Sequence, residues 1–380
     1  MEEGSRPKET VGAGSDAVGG VIILSNTEVQ RLRRRMNVLA FVVAVQLIVI
    51  VAFCIAYTKD RTGSESLSAM WENTLSNAKY VDLTHAFGPS SPLWPAFQHA
   101  TFGAAHSDKA YGDLIGRNQE FTYLDQGFIA TSYHIPTDQY GTQLDPPAHW
   151  NEFGSTISDL PATIALRPLV VINIVDKVKL NASYHARPED VLAWEREHGQ
   201  VPRGSVVMFR TDWSLHWDDY AKYGLPLVYP GVMLDTLKIL HLQRAILFHG
   251  HEPLDTDMTP SLEGEAWLMH NNFLQAEGVK NLHLVPEHGA LVTIGFAKAQ
   301  GGTGGLARFV AVCPPEWDGG ATVWEQPGAP LPTQVAPLRR NAQGVLTPDP
   351  SATPTSYCSV EEEDGSTTVA AHPLGCPLPK

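Results

Sequence analysis

Between Val38 and Tyr57 the chain reads VLAFVVAVQLIVIVAFCIAY, with no charge and one amide, Gln46. About twenty apolar residues match the roughly 30 Å hydrocarbon core of a bilayer. In lipid a helix satisfies every backbone N–H and C=O within such a run. The run therefore predicts a transmembrane helix over 37–57. Two other readings stay open. A buried helix of a soluble domain normally keeps a polar face, which this run lacks. A cleaved signal peptide normally has a shorter apolar stretch nearer the start. Arg31, Arg33, Arg34 and Arg35 precede the run, against Lys59 and Arg61 after it. Positive flanks stay in the cytoplasm, so the expected arrangement is a single-pass signal anchor, membrane-bound with its N-terminus cytoplasmic and the bulk of the chain lumenal or extracellular. In that topology Asn181-Ala182-Ser183 is a glycosylation acceptor, a triplet common by chance.

Composition divides the rest. Residues 1–36 are Gly-rich and polar and predict a flexible cytoplasmic tail, and 58–79 a stalk. Over 80–313, strand-like apolar runs alternate with helical stretches. Val206–Thr211, Ala245–Phe248 and Leu169–Val175 carry strand formers bounded by Gly or polar residues. Pro188–His198 predicts a helix, with Pro in its first turn, acids beside it and Gly199 as a stop. A second helix fits Val232–His241. The alternation predicts an α/β domain with a mixed sheet. From 314 to 380 prolines and small polar residues dominate, with an acidic cluster at Glu361–Asp364, and predict a largely disordered tail. A hydrophobic content of 43% is that of a globular chain, and a net charge of -14 argues against nucleic acid as a partner. Four cysteines are too few for a disulfide scaffold, although Cys358 and Cys376 share the tail and can pair in an oxidising compartment.

Three clusters carry chemistry. The densest is Asp138-Gln139-Tyr140-Gly141-Thr142-Gln143-Leu144-Asp145-Pro146-Pro147-Ala148-His149. A carboxylate among amide oxygens and an imidazole can hold a divalent cation and orient a water. On composition alone, a polar loop with Asp145 capping a turn is the weightier reading. The second cluster, His249-Gly250-His251-Glu252 with Asp255 and Asp257, follows a strand and so faces a crevice in an α/β fold. The third joins His270 to Glu277, seven residues apart and on one face if the segment stays helical. His and carboxylate together suit Zn or Mn, while a lone His is more often structural. Trp94, Trp150 and Trp213 are candidates to line an aromatic pocket, with core packing the alternative.

The ordered set of motifs resembles the cyclase family that includes kynurenine formamidase and isatin hydrolase. The family pattern His-x-Gly-Thr-His-x-Asp-x-Pro-x-His is matched here by Gln139-x-Gly-Thr-Gln143-x-Asp145-x-Pro147-x-His149. Asp82-Leu83-Thr84-His85 with Trp94-Pro95, Arg210-Thr211-Asp212-Trp213, Glu277 with Asn281-Leu282, and Gly301-Gly302-Thr303-Gly304-Gly305 follow in the family's order. The resemblance spans roughly Tyr80 to Cys313. It implies a kynurenine formamidase-like mixed-sheet domain performing metal-dependent hydrolysis of a formamide or cyclic amide, as in the tryptophan-catabolic release of formate from N-formylkynurenine. It implies His149 as the catalytic histidine, and Asp145, His270 and Glu277 as metal ligands, with Gln139 and Gln143 where two ligand histidines belong. His249 or His251 could supply a compensating nitrogen. The resemblance also implies a homodimer or larger assembly.

Two imidazoles replaced by amides make a harder, weaker donor set. The expected cofactor is a divalent ion, Mn or Zn first, with Mg or Ca favoured as the set hardens. The expected activity is an amidohydrolase acting on a small molecule. A non-catalytic, membrane-displayed binding protein using the same cleft, and a purely structural ectodomain, are the rival expectations.

Overall fold

The β-branched runs of the middle of the chain close a sheet on itself. The computed structural model describes residues 66–223 and 228–326 without a break, parts of 26–47, and 337–342, 344–349, 351, 356–361 and 367–372. Two units divide at Ser68. In the first, the described residues within 26–47 are helical. Among the described residues no helix is long and apolar enough to cross a membrane. The expected span Val38–Tyr57 lies largely outside them, as do Cys54 and Cys376.

In the second unit, strands β1 (Lys79–Asp82), β2 (Gln143–Asp145), β3 (Leu166–Asn173), β4 (Val206–Arg210), β5 (Phe248–His251), β6 (Leu274–Glu277), β7 (Ala290–Phe296) and β8 (Gly305–Cys313) form one sheet. Its order is β1-β8-β7-β3-β4-β5-β6-β2, and β2 pairs back onto β8. Seven strands thereby close into a barrel with β1 added on the outside. The run β3-β4-β5-β6 is parallel and the other pairings are antiparallel, so the sheet is mixed, as expected.

Period-two alternation sorts side chains into two cores. Leu169, Val171, Met208, Phe248 and Phe309 fill the barrel. Val170, Ile172, Val207 and Phe209 face outward, under Val191 and Trp194 of helix α2 (Pro188–His198) and Leu237 of α3 (Leu234–Lys238). A short α1 (Val175–Leu180) precedes α2 and α4 (Glu263–His270) follows α3. Helix α2 begins and ends where the sequence predicts. Asp190 accepts the Arg187 N–H at 2.7 Å, and Gly199 takes a φ of 87° that a side chain would resist.

Two boundaries differ from the sequence reading. Ala245 has a φ of 52°, so the strand expected there starts at Phe248 and carries His249 and His251 within it. The expected helix 232–241 shortens to α3, which widens into a π-helical turn over Ile239–Gln243. Beyond Pro314, the segment through Ala321 folds onto the domain. Trp317 Nε1 donates to Leu284 O at 2.7 Å, Ala321 pairs with Tyr80, and Leu338–Arg340 forms a hairpin with Leu346–Pro348.

Candidate metal centre

Strand β2 is the stave that closes the barrel, and it carries the densest motif found in the sequence. Its register against β6 sets Gln143 opposite Glu277 and Asp145 opposite Gln275. Leu144 and Ala276, between them, enter the barrel core. The four polar side chains therefore share the outer face. The approach to β2 is tight, because a Cβ on Gly278, whose φ is 60°, would sit 2.8 Å from Gly141 O. Thr142 locks the same crossing by donating its Oγ1 hydrogen to Gly278 O at 2.6 Å.

Gln143 Nε2 donates to Glu277 Oε2 at 2.8 Å and lies 3.4 Å from Asp145 Oδ2. Gln275 Nε2 donates to Glu277 Oε1 at 2.8 Å and is 3.4 Å from Asp145 Oδ2. The Gln275 oxygen accepts from Thr256 Oγ1 at 2.7 Å, which orients that amide with its nitrogen toward the carboxylates. A third carboxylate descends from α4. Glu265 Oε1 accepts Trp150 Nε1–H at 2.9 Å and lies 3.6 Å from His149 Nε2. Asp145, Glu265 and Glu277 each offer an oxygen, and these oxygens all lie within 4.8 Å of one another.

All three acids are buried, and burial is the main cause of their raised proton affinities. Asp145 is pushed up to about 7, while Glu265 and Glu277 are pushed well above the carboxylate range by burial and then by neighbouring carboxylates, Asp255 and Asp145 for Glu265 and Asp145 and Glu265 for Glu277. Among the described residues the basic groups within 4 Å of them are His149 and His251. Neither is a good counter-charge: burial lowers the His149 imidazole and pushes His251 down to about 4. Asp145 Oδ1 and Glu265 Oε2 are buried with no hydrogen-bond partner among the described residues. A cluster left short of donors in this way must hold either protons or a cation. Three converging carboxylate oxygens with two free acceptors fit a divalent cation with hard, oxygen-rich ligation.

The sequence-predicted residues distribute unevenly around this centre. Asp145, Glu277 and Gln143 come together in it, and His149 stands at its edge. Gln139 is buried nearby, with its oxygen accepting from Thr137 Oγ1 at 2.6 Å. His251 presents Nε2 3.8 Å from Glu277 Oε1, with its Nδ1 held 3.0 Å from Pro253 O. His249 turns its Nε2 to Thr256 Oγ1 at 3.2 Å and lies further back. His270 is exposed at the last residue of α4 and stands outside the group. The helix ends there and Glu277 belongs to β6, so the shared helical face expected for the pair does not exist.

Glu265 was not among the expected ligands. A signal for it exists: Leu268 and Met269, three and four residues on, mark the buried face of α4, and Glu265 is the acid on that face.

Beside the carboxylates lies a cavity of about 450 Å³. Trp94, Phe97, Trp150 and Leu262 give it aromatic and apolar walls, and Gln139, Gln143, His149, Asp255, Glu265 and Glu277 give it a polar side. Trp213 is buried elsewhere, at the turn after β4. The Gly-rich segment closes over the same region, since Asp138 Oδ2 accepts from Thr303 N at 2.8 Å and Gly304 N at 2.9 Å.

Residues 81–258 match the family model described as "Putative cyclase". An isatin hydrolase of Roseibium aggregatum is 27% identical over 269 residues, which is 67% of this chain and 99% of that protein. Isatin hydrolase A from Ralstonia solanacearum superposes with a TM-score of 0.56 at 24% identity, covering 66% of this chain and 99% of that one. Isatin hydrolase A from Labrenzia aggregata, bound to benzyl benzoate, gives 0.55 at 24%, covering 65% and 98%. The mixed α/β fold with its closed sheet is thus shared with these structures, and residues 81–258 of this chain are similar to the cyclase family.

Proposed function

We propose that the protein is a metal-dependent hydrolase of a non-peptide carbon–nitrogen amide bond, acting on an aryl formamide or cyclic amide. The observation that carries this reading is the convergence of Asp145, Glu265 and Glu277 beside an aromatic-walled cavity, with two of their buried oxygens unpaired among the described residues. The isatin hydrolase of Roseibium aggregatum supports it at the level of reaction class. A divalent cation in such a site would lower the pKa of a water and polarise a carbonyl. The three carboxylates would hold it, and their oxygen-only character favours Mn, Mg or Ca over Zn.

The remaining work falls to the chain's own groups. His149 lines the cavity as a neutral imidazole, so its Nε2 lone pair can take a proton from the attacking water and return it to the leaving nitrogen. Glu265, 3.6 Å from that Nε2, stabilises the imidazolium as it forms. Trp94 and Trp150 sandwich or flank an aryl ring and exclude water from the reacting face. Gln275 and Gln143 hold Asp145 and Glu277 in register through their amide hydrogens.

One observation favours a second reading, a non-catalytic binding protein. Gln143 turns an N–H toward both Glu277 and Asp145, at the position where the family pattern has an imidazole ligand. The two readings separate on metal content and turnover of the purified full-length protein. The hydrolase predicts stoichiometric Mn by elemental analysis, hydrolysis of formanilide or isatin, and loss of both in Asp145→Ala. A metal-replete protein that carries no divalent ion and turns over neither compound would hand the case to the binding protein.

A further inference from the structure

We propose that the cavity selects substrates bearing a protonated or quaternary amine, and that Asp255 is the anion that holds it. The inference rests on the reading above that this cavity is the substrate's. Among the described residues its lining contains no lysine or arginine, while Asp255, Glu265 and Glu277 all border it and Asp145 lies just behind. A divalent cation among Asp145, Glu265 and Glu277 would offset two of their three negative charges. Asp255 stands outside that group and keeps its own.

The contacts of Asp255 leave its carboxylate available. Tyr229 Oη lies 3.4 Å from Asp255 Oδ2, but that hydroxyl is committed to Asp257 O at 2.6 Å. A purely structural buried carboxylate collects several short donors, and Asp255 has none among the described residues. Burial raises it only to about 6, so it is mostly ionised at neutral pH. The aromatic part of the lining suits a cation as well. Trp94 and Phe97 are 43% and 37% exposed at the cavity mouth, their ring centroids 5.5 Å apart and tilted. Two such rings sharing a cavity with a carboxylate attract an ammonium through both ring quadrupoles and charge. An anionic substrate would meet like charge at Asp255.

The test is a pair of near-isosteric ligands, 4-(aminomethyl)acetanilide and 4-(hydroxymethyl)acetanilide, titrated calorimetrically into the Mn-supplemented full-length protein at pH 7.5. The expected result is amine over alcohol by about ten-fold or more. In Asp255→Asn that ratio falls about ten-fold. Equal binding of the two by the parent overturns the proposal without any variant being made. So does a ratio that survives in Asp255→Asn. Formanilide turnover by the same preparation reports separately on the hydrolase, so a protein that hydrolyses formanilide but ignores the amine keeps its function and loses its cation preference.

Discussion

Buried carboxylates of this chain are treated in two opposite ways. Glu252, next to His251 at the end of β5, is fully buried, yet both its oxygens are supplied. Oε2 accepts from Thr211 N at 2.9 Å, Thr211 Oγ1 at 2.6 Å and Trp213 N at 2.9 Å, and Oε1 accepts from Ser214 Oγ at 2.9 Å. Those bonds hold the turn after β4, where Asp212 sits at a φ of 58°. Asp145 and Glu265, equally buried, each keep one oxygen with no donor among the described residues. A carboxylate kept for architecture is saturated with hydrogen bonds, whereas one kept for binding is left short, at a cost to stability that a ligand can return.

The largest effect that would sharpen this contrast is Glu252→Ala. It strands the Thr211 N–H and two hydroxyls in a buried turn and leaves the Trp213 N–H only Thr211 Oγ1 at 3.2 Å, at roughly 1–3 kcal/mol for each group left unsatisfied. With partial relaxation we expect a loss of about 4 kcal/mol in urea unfolding. A loss below about 1 kcal/mol would mean that the turn holds itself and that the comparison fails on the structural side.

A smaller effect, of opposite sign, is expected at the other group. In the metal-free protein Asp145 titrates near 7 when folded, against 3.8 when unfolded, chiefly through burial. The folded state keeps the proton longer. Its stability is thus complete below the unfolded value and is lost as pH rises through about 7. The raised values of Glu265 and Glu277 act in the same direction. His241, His249 and His251, all lowered by burial, act oppositely, but their contribution is complete above the ordinary histidine value. From pH 6.5 to 8 the histidines complete only the last part of their contribution, so the acids dominate the window. Over it the metal-free melting temperature should fall, and Asp145→Asn should flatten the slope and be more stable than the parent at pH 8, on the order of 2 kcal/mol. A parent whose stability is level across that window contradicts the strain assigned to the cluster.

What could be read from residues alone follows the same division. The helix at Pro188–His198 and the strand at Val206 were legible because their signals are local: a proline, a glycine stop, a β-branched run. Closure of the barrel was not, since the return of β2 onto β8 joins Gln143 to Leu306 across more than 150 residues with no local mark. Asp145 and Glu277 stood in recognisable motifs. Glu265 stood in none, and only the burial of its neighbours Leu268 and Met269 sets it apart from the acids around it. His270 matches the family's ligand histidine in order, with a spacing to Glu277 shorter than the family's, and spacing fixes a face only within one element, whereas the chain leaves the helix at that residue.

The smallest effect probes how far Glu265 can be moved toward the condition of Glu252 or away from it. Trp150 Nε1 supplies its donor at 2.9 Å, and Trp150→Phe keeps a ring in the cavity wall while removing that N–H. With the donor gone the ionised carboxylate is less stabilised, and its proton competes more strongly with any cation. Partners one step behind a ligand typically carry about ten-fold or more in metal affinity. We expect Mn to bind about ten-fold more weakly at pH 7, with the deficit narrowing toward pH 9 as protons cease to compete. The pH dependence decides the matter. A Trp150 that only walls the cavity leaves Mn affinity unchanged at both values, and one that only positions the α4 backbone weakens it equally at both. A deficit that shrinks with pH is the signature of a carboxylate held poised between a proton and a cation by a single indole.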